Sequence, residues 1–157
     1  SPAELAPLFA TSVIAINSAD SQSGCRVLGE CFDHPFTMAP DRALLTGGHR
    51  NSICAVARGE AGLAAIDAAS WRLAQAHEPA AREVVVVARS RDVPGLPLIM
   101  AKGLAEKRET MLSALRLAVG DMSNADREAL GIIGIVPAAD ADYEVLKAPP
   151  YGNFRIG

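Results

Sequence analysis

Ser21, Gln22, Ser23 and Gly24 stand together directly after Asp20, and His49 and Asp67 follow at later turns of the chain. Hydroxyls and a side-chain amide donate hydrogen bonds, and a glycine lets a ligand approach the backbone closely. A histidine donates from a ring nitrogen and can carry charge near neutral pH. Together these are groups that hold a small anion. Ser23, His49 and Asp67 are also the residue types of a hydrolytic triad, a second chemistry to weigh. Each has an ordinary use as well. Asp-Ser-Gln-Ser-Gly can be an N-cap, Gly47 and Gly48 a tight turn, and Asp67 the cap of the helix after it.

What must bring such residues together is a sheet, because ligands of open parallel sheets bind outside the carboxyl ends of the strands. Residues 12–17 are short, apolar and β-branched, which predicts a buried parallel strand. They open into residues 18–24 and a helix carrying Val27, Leu28 and Phe32, ended by Asp33, His34 and Pro35. Residues 43–46 predict a second strand, then Gly47, Gly48 and a helix over 49–58 with Ile53, Val56 and Ala57 on one stripe. Residues 62–67 predict a third strand, followed by a helix through Trp71 and Leu73. Residues 83–88, with four consecutive valines, are the plainest strand signal in the chain. This alternation predicts an α/β fold, a mostly parallel sheet flanked by helices. Its three strand-to-helix junctions, at 20–24, 46–50 and 67–70, are all polar. Each leads into a helix N-terminus, where free N–H groups and the helix dipole attract an anion.

Beyond residue 92 the character changes. Val93, Pro94, Gly95, Leu96 and Pro97 make a stiff connection to the apolar Leu98, Ile99 and Met100. A helix over 104–119 follows, with Met111, Leu112, Leu115 and Val119 on one side. A shorter helix over 124–130 is capped by Ser123 or Asn124, another spans 140–146, and the Pro149-Pro150 tail reads as irregular. The domains expected are a ligand-gripping α/β lobe at 10–92 and a crossover with a helical extension at 93–157.

Bulk properties narrow the function. The 157 residues are 50% hydrophobic but only 4% aromatic, which suits a folded protein packed with small side chains and excludes a disordered one. A net charge of −3 gives no basic footprint for nucleic acid. Cys25, Cys31 and Cys54 lack zinc-ligand spacing and read as small buried hydrophobes, so no metal is expected. No Gly-x-Gly-x-x-Gly turn calls for a dinucleotide, and no cofactor is expected. No apolar run is long enough to span a membrane, and the residues after Ser1 carry no signal peptide.

Several motifs in fixed order resemble one family. These are Ala19-Asp20-Ser21-Gln22-Ser23-Gly24, the turn Thr46-Gly47-Gly48-His49-Arg50-Asn51-Ser52, and Ala55-Val56-Ala57 up to Gly59. Ala64-Ala65-Ile66-Asp67, Trp71 and Pro94-Gly95-Leu96-Pro97-Leu98-Ile99 extend them. The chain is similar, over about residues 12–143, to the phosphate/phosphite/phosphonate-type substrate-binding proteins of ABC transporters. The resemblance implies a periplasmic-binding-protein fold whose two lobes close on a small oxyanion, an ABC permease as partner, and a periplasmic or extracytoplasmic location. It implies that Ser21, Gln22, Ser23, Gly24 and His49 hold the oxyanion while Asp67 lines the same cleft. Cys25 stands where the family usually has an aromatic. The match falls on the second half of the family's pattern, so the helical extension is expected to need another partner for its apolar face, such as a second copy of this chain.

Two other readings compete. A serine hydrolase would use Ser23, His49 and Asp67, but Asp20 stands where a Gly-x-Ser-x-Gly elbow needs its first glycine. A sensor or interaction module derived from such a lobe would bind the same ligand with no transport.

Overall fold

The computed structural model describes residues 1–157. The chain divides into two compact units, one made of residues 1–92 with 145–157, the other of residues 93–144.

In the first unit β1 (Ile14–Ile16), β3 (Ala43–Leu45) and β4 (Leu63–Ala64) form a parallel sheet of three strands in the order β3-β1-β4. Ile14, Ala15 and Ile16 are fully buried, as a central parallel strand covered on both faces requires. Their faces differ in size. Ile14 and Ile16 join a core of Phe9, Leu28, Met38, Leu63 and Phe154, whereas Ala15 packs with Ala55 and Ala61. The small residues let α1 (His49–Ala57) lie close upon β1, which is one use of the chain's many alanines. Helix α2 (Ala68–His77) follows β4 and packs through Ala74 against Ile53 of α1 and Ala81. This mixed helix and parallel-sheet architecture is consistent with the expected periplasmic-binding-protein-like α/β fold.

Several local expectations change. The polar turn at 18–24 leads into a 3-10 helix, Arg26–Cys31, rather than an α-helix. Residues 84–88 are not a strand. The backbone at Val84 is extended, but no neighbour pairs with the segment, and Val85 is 82% exposed. Four valines favour an extended backbone; a strand also needs a ladder partner, and the sheet ends at β3 and β4. The tail, read as irregular, contains β5 (Phe154–Ile156), which pairs in parallel with β2 (Phe36–Met38) in a second, two-stranded sheet. Neither three-residue strand has a pattern long enough to read from sequence.

That second sheet gathers the aromatics. All four phenylalanines of the chain, Phe9, Phe32, Phe36 and Phe154, form one cluster. Phe32 and Phe36 stack with centroids 4.3 Å apart, and Phe9 meets Phe32 edge-on at 4.9 Å. Phe9 is carried by a 3-10 helix, Pro2–Ala10. Cys25 and Cys31 are buried in the same core, and burial, aided by the charge of Glu30, pushes the Cys31 thiol up to about 11. No disulfide forms among the three cysteines.

In the second unit a 3-10 helix, Lys102–Lys107, precedes α3 (Arg108–Asp121). The expected helix over 104–119 therefore begins as a tighter turn, beside the poor helix former Gly103. Helix α4 (Asn124–Leu130) is capped by Ser123, whose hydroxyl accepts the Asp126 N–H, and ends at Gly131 in the left-handed conformation. Pro94, Leu98, Met111, Leu115 and Tyr143 line a largely apolar recess of about 820 Å³. No residue of this unit is buried.

Removing the Phe9 ring leaves a hole where three other rings meet it. We expect Phe9→Ala to destabilise the first unit by about 3–5 kcal/mol. Urea unfolding followed by the fluorescence of Trp71, the chain's one tryptophan, checks this; a loss below about 1 kcal/mol would contradict the packing.

Candidate functional site

The parallel order β3-β1-β4 puts the carboxyl ends of all three strands on one edge of the sheet. Backbone bonds lock the first two exits together. Thr46 N–H donates to the Ile16 carbonyl at 2.9 Å and Gly47 N–H to that of Asn17 at 3.0 Å. Gly47 takes a φ of 78°, a left-handed turn that a side chain would strain. The chain then enters α1 at His49.

His49 is the meeting point. Its Nε2 lies 3.0 Å from Ser23 Oγ and 2.9 Å from Asp67 Oδ2. Three residues from three different junctions thus touch. Asp67 also caps α2, its Oδ1 accepting the Ser70 N–H at 2.8 Å. Burial pushes the Asp67 carboxyl up, but hydrogen bonds from Ser70 and Ala69 and the facing His49 outweigh it, and the group sits below its ordinary 3.8. An ionised carboxylate only accepts, so the ring proton is on Nε2 and aims at Asp67. Ser23 Oγ shares that N–H as a second acceptor and keeps its own O–H to donate elsewhere.

This is not the wiring of a hydrolytic triad. There the carboxylate holds one ring nitrogen and the hydroxyl the other. Here both compete for Nε2, and Nδ1 is buried without a protein partner.

The remaining predicted residues divide. Gln22 Nε2 is likewise buried without a protein partner. Ser21 is turned inward to its own loop, its Oγ accepting the Gly24 N–H at 3.0 Å. Gly24 faces Asn17, whose Cγ would lie 2.5 Å from a Cβ built there. The glycine therefore makes room for Asn17.

Sequence reasoning passed over the scaffold beneath. Ser52, fully buried on α1, bonds Thr46 Oγ1 at 2.6 Å and donates to Asn17 Oδ1 at 3.3 Å. Asn51 Nδ2 donates to the Thr46 carbonyl. Thr46, Asn51 and Ser52 lie in the turn that carries the family resemblance, but nothing in their types or spacing gave this network. Helix α1 has no side-chain cap at Gly48, so its first N–H groups are not taken by a capping side chain as those of α2 are. Arg50 pairs with Glu78 at 2.5 Å, which commits its charge. No group of three or more His, Cys, Asp or Glu side chains is arranged to hold a metal ion.

The lowered Asp67 carboxyl fixes a pH dependence. As pH falls the unfolded chain takes up this proton first, at about the ordinary value. The stabilisation is complete above that value and is lost as pH falls through the lower folded one. Asp67→Asn retains a capping oxygen but cannot ionise. Wild-type stability, from urea unfolding at pH 6 down to pH 3, should therefore fall more steeply than that of Asp67→Asn; equal slopes would contradict the assignment.

No curated protein and no solved structure matches the chain. A family model does: that of the ABC transporter phosphonate periplasmic substrate-binding proteins, over residues 2–143 of 157. The matched stretch carries β1, β3 and β4 and all three of the junctions that meet at His49. The chain belongs to the family of phosphonate-binding periplasmic substrate-binding proteins of ABC transporters.

Proposed function

We propose that this chain binds a small phosphorus oxyanion (phosphate, phosphite or a phosphonate) at Ser21, Gln22, Ser23, Gly24, His49 and Asp67, as the extracytoplasmic solute-binding component of an ABC transporter with a permease as partner. The observation that carries the reading is the contact of Ser23, His49 and Asp67 across three separate junctions, beside a helix end that no side chain caps. An anion at α1 would meet backbone N–H groups and the positive end of the helix dipole. Gln22 Nε2 is a buried donor without a protein acceptor, the Ser23 O–H is free to donate while the ring N–H faces it, and oxyanion oxygens are acceptors. On protonation His49 Nδ1 becomes a third such donor. The end of α2 serves differently, since Asp67 already occupies it.

Asp67 has a role in orientation. By accepting from Nε2 at 2.9 Å it fixes the direction of the ring. The work of such a site is recognition. Nothing in it needs to abstract a proton from Ser23, and the shared Nε2 is poorly arranged to do so.

Calorimetric titration with phosphate, phosphite, methylphosphonate and sulfate tests the reading. Heat from a phosphorus oxyanion is expected, and Ser23→Ala and His49→Ala should each weaken binding by about 1–3 kcal/mol. Unchanged affinity in both variants would place the ligand elsewhere, and silence with all four anions would refute the oxyanion reading. A serine-directed fluorophosphonate should leave Ser23 unlabelled; labelling lost in Ser23→Ala would restore the hydrolase.

A further inference from the structure

The chain leaves the first unit after Asp92 and re-enters it at Val145. Just before the exit and just after the return, two side chains meet on a third. Arg91 N–H donates to Glu30 Oε2 at 3.2 Å, and Tyr151 O–H donates to Glu30 Oε1 at 2.8 Å. Arg91 Nε–H in turn donates to the Tyr151 oxygen at 3.0 Å, and its guanidinium carbon lies 5.0 Å from the centre of the Tyr151 ring. The tyrosine hydroxyl both accepts and donates, so arginine, tyrosine and glutamate form one polarised chain of bonds. All three residues belong to the first unit.

We propose that Glu30, Arg91 and Tyr151 form a latch that fastens the outgoing segment to the Arg26–Cys31 turn, and that opens locally at Arg91 while the rest of the unit stays folded. The two ends of the latch differ in how they are held. Tyr151 is 1% exposed. Its neighbour Pro150 approaches the Glu30 turn so closely that a Cβ on Gly29 would lie 1.9 Å from the Pro150 carbonyl oxygen. Asn153 Nδ2 also donates to the Phe32 carbonyl, and β5 beyond it is paired with β2. That end is fixed by packing and backbone.

Arg91 has none of this. Its side chain is 49% exposed, and residues 84–92 belong to no helix or ladder. Segments with few buried contacts and few backbone bonds are those that open below the global unfolding free energy. With the latch shut, the free connection begins at about residue 92. With it open, residues 85–92 join the connection, Val84 being packed against the Ile53, Ala74 and Ala81 cluster, and this adds roughly 27 Å of extended chain. Glu30 thus decides how much slack the outgoing connection carries. The inference does not depend on what the protein binds.

Residue-resolved amide hydrogen exchange on the intact chain tests it, with Glu30→Gln and Tyr151→Phe as variants. Both keep side-chain size, so the unit should still fold. Exchange at the Arg91 amide should accelerate about tenfold in Glu30→Gln and less in Tyr151→Phe, with the amides of α1 at wild-type rates. Trypsin cleavage after Arg89 should quicken in the same order. An Arg91 amide that exchanges at the wild-type rate in both variants would overturn the latch. So would an equal acceleration in α1, which would make the three residues ordinary packing of the unit.

Discussion

β1 is three residues long and fully buried between β3 and β4, so its backbone groups depend on its two neighbours for hydrogen bonds. That double pairing is the constraint on which the candidate site rests. Parallel strands exit in the same direction, and each exit here leads to a polar turn. The register places Ile16 beside Leu45 and Ala15 beside Ala64, which brings three distant stretches of sequence within side-chain reach. Ala15 then sets how near α1 can come. A larger residue there would lift α1 and His49 with it, since the Ala15, Ala55 and Ala61 contact is already close-packed.

Beneath His49 the polar groups hold one another in place. Thr46, Ser52 and Asn17 satisfy one another and the ends of β1 and β3. Such a network is costly when half-satisfied and rigid when complete. Rigidity has value for a binding site, because donors already in position lose less entropy when the ligand is captured. The Asp67 contact adds orientation from the far side of the ring. The buried side-chain atoms without a hydrogen-bond partner are Gln22 Nε2 and His49 Nδ1 near this edge, and Arg42 Nη1 elsewhere in the unit.

How much of this the sequence revealed depends on what periodicity can encode. β1, β3, β4, α1 and α2 were legible because each has an apolar pattern bounded by polar or glycine residues. The junction residues could be read from the strand ends. Ser23, His49 and Asp67 were named from their types, and the structure brings them into contact. The valines at 84–87 misled, because propensity describes one chain while a ladder needs two. β2 and β5 were missed for the opposite reason. Their three-residue patterns are too short to read, and their pairing joins positions more than a hundred residues apart. The 3-10 character of Arg26–Cys31 was hidden too, since the apolar spacing of Val27, Leu28 and Phe32 also fits an α-helix.

The same three residue types admitted two functions, and geometry separates them better than composition does. A serine, a histidine and an aspartate within 3.0 Å contacts satisfy a naive search for a hydrolase. In a hydrolytic triad, however, the histidine faces the serine with one nitrogen and the carboxylate with the other. Here both partners crowd Nε2, so the ring N–H that aims at Asp67 is the same one that faces Ser23, and Nδ1 has no protein partner. The serine keeps its own proton, which a nucleophile must lose and a hydrogen-bond donor must keep. The shared contact at Nε2 is set by the direction in which Asp67 leaves β4 to cap α2, one carboxylate oxygen holding the Ser70 N–H and the other lying 2.9 Å from the ring.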